Sequence, residues 1–503
     1  MIEDRAAASS SAAATPAVPP DATLFGHPRG LTTLFLTEMW ERFSHYGMRA
    51  ILVLFMVTAA AQGGLGIGDR AANSIYGLFV ATSYLLSLFG GWIADRLIGA
   101  RRAVVCGGVL IMGGSALLAS GMLQIFFLGL TAIAFGVGLL KPNISVLVAT
   151  LYPEGGSRRD AGFSLFYMGI NVGALLGPIM VSLCAARFGW HAGFALPALG
   201  MLFGLAQFLA TRRHLGRDDL STPVNTDVRA WRPVIAVAAA VLLLAALALS
   251  GRIALDPASM ALASSWLIAL LAAAYFAYLL FFAGLTRIER SRVYVMLALF
   301  VAATVYYAGQ EQTGTSLTLF AERYTDRRIL GWQIPAGMFQ SISSVYILLL
   351  APLFSALWIH LGRRGRDLSV PLKFAVGLTL MGAGFLVMYE ASTYVLGGQK
   401  VLPTWLIACY FVQMCGDLCL GPVGLSSMTK LASPRFAGQV MGVWFLSLAL
   451  GNNLAGLFAA GSEATTLASL PGYFLRMFGW GAAGGLVLLV LTPLLKRWMA
   501  GVR

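Results

Sequence analysis

Apolar stretches of about 20 residues or more follow one another along nearly the whole chain, broken only by short polar segments. Each is long enough to cross a bilayer core of ~30 Å as a helix. Fourteen such spans are predicted, over residues 31–61, 75–95, 103–122, 125–151, 161–186, 190–211, 233–251, 261–284, 293–321, 334–361, 371–396, 403–430, 436–461 and 471–495. The stretches are continuous and do not alternate, which argues against a transmembrane β-barrel. Spans seven and eight are the most Ala- and Leu-rich and carry no buried charge. A polar linker precedes them (Gly216 to Arg232, with Asp218, Asp219, Pro223 and Asp227), and a cluster of Arg287, Arg290 and Arg292 follows. Setting that pair aside leaves six spans on each side. The predicted fold class is therefore an all-α polytopic membrane protein of 14 transmembrane helices, arranged six, two extra, six. The predicted domains are a flexible cytoplasmic tail (1–30), a six-helix bundle (31–212), a linker with two extra helices (213–290) and a second six-helix bundle (291–503).

Composition agrees with this. Of 503 residues, 58% are hydrophobic and 11% charged, against about 25% charged in soluble domains. A soluble enzyme, a disordered scaffold and a disulfide-stapled secreted domain are excluded. The net charge of +14 follows from topology and calls for no nucleic acid. Basic residues cluster in alternate loops, as the positive-inside rule requires: Arg96, Arg101 and Arg102; Arg158 and Arg159; Arg212, Arg213 and Arg217; Arg287, Arg290 and Arg292; Arg363, Arg364 and Arg366. This assigns both termini to the cytoplasm and the chain to the inner membrane. One intervening loop, with Arg323, Arg327 and Arg328, breaks the rule. The five cysteines show no metal-ligand spacing, and no metal or other cofactor is expected. GxxxG-like spacings around Gly107 and Gly382 indicate close helix packing.

Ionisable residues inside spans are costly and are functional candidates. Span one reads Glu38-Met-Trp-Glu41-Arg42-Phe43-Ser-His45-Tyr46-Gly47-Met-Arg49. At ~100° per residue, Glu38, Glu41, Arg42, His45 and Arg49 fall within an arc of about 100°, facing away from lipid. An ion-paired helix contact between Glu38 and Arg42 explains one pair of these five groups but not the rest. At ~1.5 Å rise per residue, Arg49 and Glu311 share an outer level. Lys141, Asp417 and Arg42 share a level near or below the midplane. Opposite charges at matched depth in opposite halves suit two gates that alternate, Arg49 with Glu311 and Lys141 with Asp417; static pairs that fix packing are the competing explanation. Asn171 adds a neutral polar group nearby. The stretch from Gly90 to Arg102 resembles the loop signature of major-facilitator transporters.

These residues together resemble the proton-dependent oligopeptide transporter family of the major facilitator superfamily, bacterial type. The run Glu-x-x-Glu-Arg-Phe-Ser-x-Tyr-Gly at 38–47 is its most specific mark. Lys141-Pro142-Asn143, Phe166–Pro178, Glu311-Gln312, Gly424-Leu425-Ser426 and Met441-Gly442-x-Trp444-Phe445 are further matches. The resemblance implies a major-facilitator fold and a proton-coupled symporter that imports di- and tripeptides by alternating access. Its partners are small peptides, protons and the bilayer, the proton is the coupling ion, and a monomer is expected. Another zwitterionic or drug-like solute is the alternative substrate. No covalent chemistry is implied. By position, Arg42 and Lys141 would hold the peptide carboxylate, and Asn171 and Asp417 would face its amino group. Tyr46, Tyr84 and Trp444 would line side-chain pockets, and Glu38, Glu41 and Glu311 would carry the proton coupling. Four departures stand out: His45 replaces the usual Tyr, and Asp417 with Gly421 replaces a Glu with a Ser one turn later. Ser343 takes the place of an Asn that helps hold the amino group. Gly77 lies where animal members carry a histidine.

Overall fold

The structure is a computed structural model that describes residues 23–24, 26–152, 156–216, 227–249, 256–329, 331–366, 368–461 and 466–499. Most of the expected tail, and Asp218, Asp219 and Pro223 of the linker, lie outside the described residues.

The first six long helices are α1 (Arg29–Val57), α2 (Asp69–Ile93), α3 (Ala100–Leu118), α4 (Leu123–Thr150), α5 (Gly156–Phe188) and α6 (Trp190–Thr211). The extra pair is α7 (Val228–Leu249) and α8 (Pro257–Phe281). The second set is α9 (Arg287–Gln310), a short α10 (Ser316–Tyr324), α11 (Ser341–Arg363), α12 (Val370–Leu396), α13 (Thr404–Leu431), α14 (Ala437–Ala460) and α15 (Leu470–Trp498). Among the described residues, twelve segments are long and apolar enough to cross a membrane, with α9 and α10 counted as one. The charged α1 and the 22-residue α7 complete the fourteen.

Sharp reversals rest on glycine. Gly99 and Gly189, at φ 81° and 89°, turn the chain directly into α3 and α6, a backbone region that side chains disfavour. Asp256 caps α8 by accepting from the Ser259 N–H at 3.0 Å, with Pro257 at the first helical position. Thr286 and Glu289 form a capping box that starts α9.

Within the first six helices, α1 packs on α5 and α6, and α3 on α4 and α6. The GxxxG-like spacings do what they imply. A Cβ on Gly107 would lie 2.6 Å from the Gly136 carbonyl of α4, and one on Gly481 of α15 would lie 2.7 Å from Gly382 Cα. In the second set, α12 packs on α13 and α15, and α9 on α14. The two sets meet through α2 with α14 and through α5 with α11, whereas no extensive contact joins α4 to α13. Helix α8 lies against α14 and α2, and the buried Asn453 of α14 donates to the Ala261 carbonyl, Ser264 and Ser265 of α8 at 2.5–2.9 Å.

Three segments differ from the sequence expectation. The ninth span is not one helix: it breaks at Glu311–Gly314 before α10. The side chain of Gln312 makes the break possible. It donates to the carbonyls of Ala308 and Ala455 at 3.1 Å and accepts from Thr315, Ser316 and Tyr473, so polar groups that water cannot reach are satisfied from neighbouring helices. The tenth span begins as a tight turn over Ala336–Gln340. The end of the tail, finally, is docked. Strands β1 (Thr23–Leu24) and β2 (His27–Pro28) pair antiparallel, and His27 Nδ1 lies 2.8 Å from the Tyr152 hydroxyl.

Candidate functional site

The polar strip of α1 forms the floor of the site. Glu38, Glu41, Arg42, His45 and Arg49 are all buried, as their shared arc predicts. Arg42 Nε lies 2.8 Å from Glu38 Oε1 and 2.6 Å from Glu41 Oε2, so two carboxylates share one guanidinium. That triad holds one negative charge more than positive. Lys141, within electrostatic reach of Glu41, Glu38 and Arg42, supplies the balancing cation. Hydrogen bonding is unfinished: Glu38 Oε2, both Glu41 oxygens, Arg42 Nη2 and His45 Nδ1 have no partner. Buried polar atoms are rarely left so, and this cluster can accept a proton or an anion.

The remaining candidates ring this strip. Tyr46 lies between the guanidinium groups of Arg42 (6.0 Å to the ring centre) and Arg49 (5.4 Å). The Lys141 ammonium sits 3.9 Å from the centre of the Tyr84 ring. Asn171 on α5 is buried and donates to the Tyr167 carbonyl at 3.0 Å. Across from these, Asp417 on α13 accepts from the Tyr306 hydroxyl at 3.3 Å and is electrostatically coupled to Tyr167 of α5. Trp444 is buried edge-on to Tyr307 and Phe374; the bare Gly424 leaves room for its ring. Ser343 is half-buried and its hydroxyl has no partner.

The two expected gates stand in different states. Arg49 and Glu311 form a buried ion pair, and the Tyr76 hydroxyl bonds to Arg49 and lies 3.4 Å from Glu311. Lys141 and Asp417, although expected at one level, form no ion pair: the ammonium faces Tyr84 and the carboxylate faces Tyr306. Helices α4 and α13, which carry them, share no extensive contact among the described residues.

Sequence reasoning missed several participants. Tyr76 reaches the Arg49–Glu311 pair only because residue 314 is glycine; a Cβ there would collide with the Tyr76 hydroxyl. Asp69 and Arg323 form a two-pronged ion pair at 2.5 and 2.7 Å between α2 and α10. The visible signal was the loop that broke the positive-inside rule. Two of its three cations are neutralised locally, Arg323 by Asp69 and Arg327 by Glu322 at 2.8 Å. Gly77 is part of the same seam, since a Cβ there would lie 2.8 Å from Gly456 Cα on α14.

A family model described as PTR2, POT family, matches residues 101–473. The peptide transporter YePEPT of Yersinia enterocolitica subsp. palearctica serotype O:3 is 41% identical over 491 residues, covering 95% of this chain and 96% of that protein. The chain belongs to the POT family. Two solved structures agree with the assignment. A crystal structure of peptide transporter POT in complex with sulfate superposes with TM-score 0.88 at 40% identity, covering 95% of this chain and 97% of that one. A POT family transporter in complex with 5-aminolevulinic acid gives TM-score 0.86 at 34% identity, covering 95% and 98%. Membership makes this POT-family chain a multi-pass membrane transporter. Within that fold, fixed cations on α1 and α4 and an anion on α13 suit a solute that carries both charges. Among the described residues, no group of three or more His, Cys, Asp or Glu could hold a metal ion.

Proposed function

We propose that this chain is a proton-coupled symporter that imports di- and tripeptides by alternating access. It would sit in the inner membrane as a monomer, with both termini in the cytoplasm and the 1–30, 31–212, 213–290 and 291–503 divisions as its tail, first bundle, linker pair and second bundle. The observation that carries the reading is the pair of charge layers. Arg49–Glu311 is closed, Lys141 and Asp417 form no ion pair, and the Glu38–Glu41–Arg42 cluster on the same helix as Arg49 keeps atoms without a hydrogen bond. In this orientation the Val57 end of α1 faces outside, and the structure corresponds to an inward-facing state.

The roles follow from charge. A peptide carboxylate would bind Arg42 and Lys141 and so compete with Glu41 for their positive charge; Glu41 then takes up a proton. Asn171, Asp417 and Ser343 would face the amino group, while Tyr46, Tyr84 and Trp444 flank the side chains. Glu38 holds Arg42 in place, and Glu311 links the proton to the outer gate. Uptake of dialanine into proteoliposomes, with and without an inward proton gradient, tests this. Gradient-dependent accumulation is expected, and equal uptake in both conditions overturns the coupling. One observation favours a non-peptide zwitterion as a second reading: a relative was solved with 5-aminolevulinic acid. That compound in competition with dialanine separates the two.

A further inference from the structure

A second cavity lies at the outer end, away from the charge layers. It has a volume of about 790 Å³, within the range of small-molecule sites. One wall comes from the first bundle, with Ser182 and Arg187 of α5 and Trp190 of α6; the other comes from the second, with Glu322, Trp332 and Gln333. Each wall is anchored to its own bundle. Trp190 packs on Phe55 of α1 at 5.8 Å between ring centres. Strand β4 (Trp332–Gln333) pairs with β3 (Arg328–Ile329). The segment before β3 is bonded to residue 401 by Asp326 N–H to the Val401 carbonyl at 2.8 Å and Val401 N–H to the Tyr324 carbonyl at 3.0 Å.

We propose that this cavity binds an aromatic carboxylate from the outside and, by bridging the two bundles, holds the outer mouth closed. Three features select that ligand. Charge comes first: Arg327 is consumed by Glu322 and by the Ile334 carbonyl at 2.8 Å, whereas Arg187 is exposed with no ion pair or hydrogen bond among the described residues. The lining thus has one uncompensated cation. Second, Ser182 lines the cavity, is 2% exposed and its hydroxyl, beside Gly337, has no hydrogen-bond partner, so a rotation about its Cα–Cβ bond would offer a donor to a carboxylate oxygen. Third, Trp190 and Trp332 line opposite walls, and two indoles across a cavity suit a flat apolar group. Because the walls belong to different bundles, the site exists as a unit only while the outer ends are together. A ligand that binds one state alone shifts the population toward it, so such a compound would inhibit transport without occupying the peptide site.

The inference goes beyond the proposed peptide symport but uses its alternating-access scheme, so the test separates the two. Indole-3-propionate is the probe, and the full-length chain in lipid nanodiscs is the sample. Calorimetry reads binding without any transport. Arg187→Gln is expected to weaken binding about tenfold, the loss of one charge-assisted hydrogen bond. Trp332→Ala should weaken it several-fold, and indole-3-propionamide should bind no better than it does to Arg187→Gln. In proteoliposomes, external probe should lower the maximal dialanine rate with KM unchanged, each variant being scored against its own uninhibited rate. Absence of binding, equal binding by Arg187→Gln and wild type, or purely competitive inhibition each overturns the proposal. Failure of dialanine uptake without the probe instead counts against the symport reading and leaves the binding arm to decide this site.

Discussion

Separating Arg49 from Glu311 should open the outer mouth. Arg49 is 5% and Glu311 14% exposed on their side chains, so Glu311→Gln strands a buried guanidinium that keeps only the Tyr76 hydroxyl. Losing one partner of a buried pair costs about 3–5 kcal/mol. Because the Tyr76 contact remains and Glu311 is not fully buried, the lower end applies, a shift of roughly a hundredfold in the ratio of closed to open outer mouth at about 1.4 kcal/mol per tenfold. The pair joins α1 to the break after α9, so the cost falls on the outward-closed state; in the open state both groups are hydrated. Val53, one turn outward of Arg49 and 1% exposed, reports the change. With the five native cysteines replaced, Val53→Cys should react with an impermeant maleimide at least about tenfold faster once Glu311→Gln is added. Arg49→Met combined with Glu311→Gln should fall back toward the parent rate, because no orphaned charge is left. Unchanged reactivity in the single variant, or a double variant as reactive as the single, would refute the gate.

Glu41→Gln should abolish gradient-driven uptake yet keep exchange of peptide across the membrane; full concentrative uptake by that variant removes Glu41 from the coupling. Asp69→Asn should open the outer mouth less than Glu311→Gln, within about fivefold, because the cation it strands, Arg323, is 33% exposed against 5% for Arg49 and pairs open to water contribute less. The maleimide rate should also converge with that of the parent at high salt. Gly77→Val pushes α2 off Gly456 of α14, so it should raise Val53→Cys reactivity and slow uptake; normal values for both would show the seam is not tight. Asp417→Glu extends the carboxylate by about 1.5 Å into space that Gly421 leaves open, and should favour dialanine over N-acetyl-dialanine in competition. An identical ranking in wild type and variant removes Asp417 from specificity.

Charge burial is why so much of the site was legible. Five polar groups on one arc of α1 cannot face lipid, and a fixed rise per residue sets their depth, so the Arg49–Glu311 pairing followed from counting. The same count set Lys141 against Asp417, but depth fixes only which groups can meet, and here the ammonium faces Tyr84 and the carboxylate Tyr306. Tyr76 was not legible: in an apolar span a tyrosine reads as a lipid-facing or core aromatic. Its role depends on Gly314, one of 57 glycines, 238 positions away in sequence. The break after Gln310 was hidden for a similar reason. Gln312 satisfies it through Ala455 and Tyr473, contacts that no local pattern announces. His27 likewise gave no sign within the tail that it would meet Tyr152.

The loop that defied the positive-inside rule bears on how tightly the outer mouth can close. A loop rich in arginine on the outer face would work against the topology and repel other cations at the mouth. Pairing Arg323 with Asp69 and Arg327 with Glu322 weakens that field. Only the first of these spans the two bundles; Glu322 and Arg327 belong to one segment. Among the described residues, the contacts that hold the mouth include one buried pair, one partly exposed pair, the Asn73 bond to the Ala459 carbonyl at 3.1 Å and the Gly77–Gly456 contact. A transporter needs its two faces close in free energy, and several buried cross-bundle pairs would trap one face. The exposed pair adds orientation at little cost to reopening, the glycine contact adds fit, and the buried pair alone carries a large conditional term.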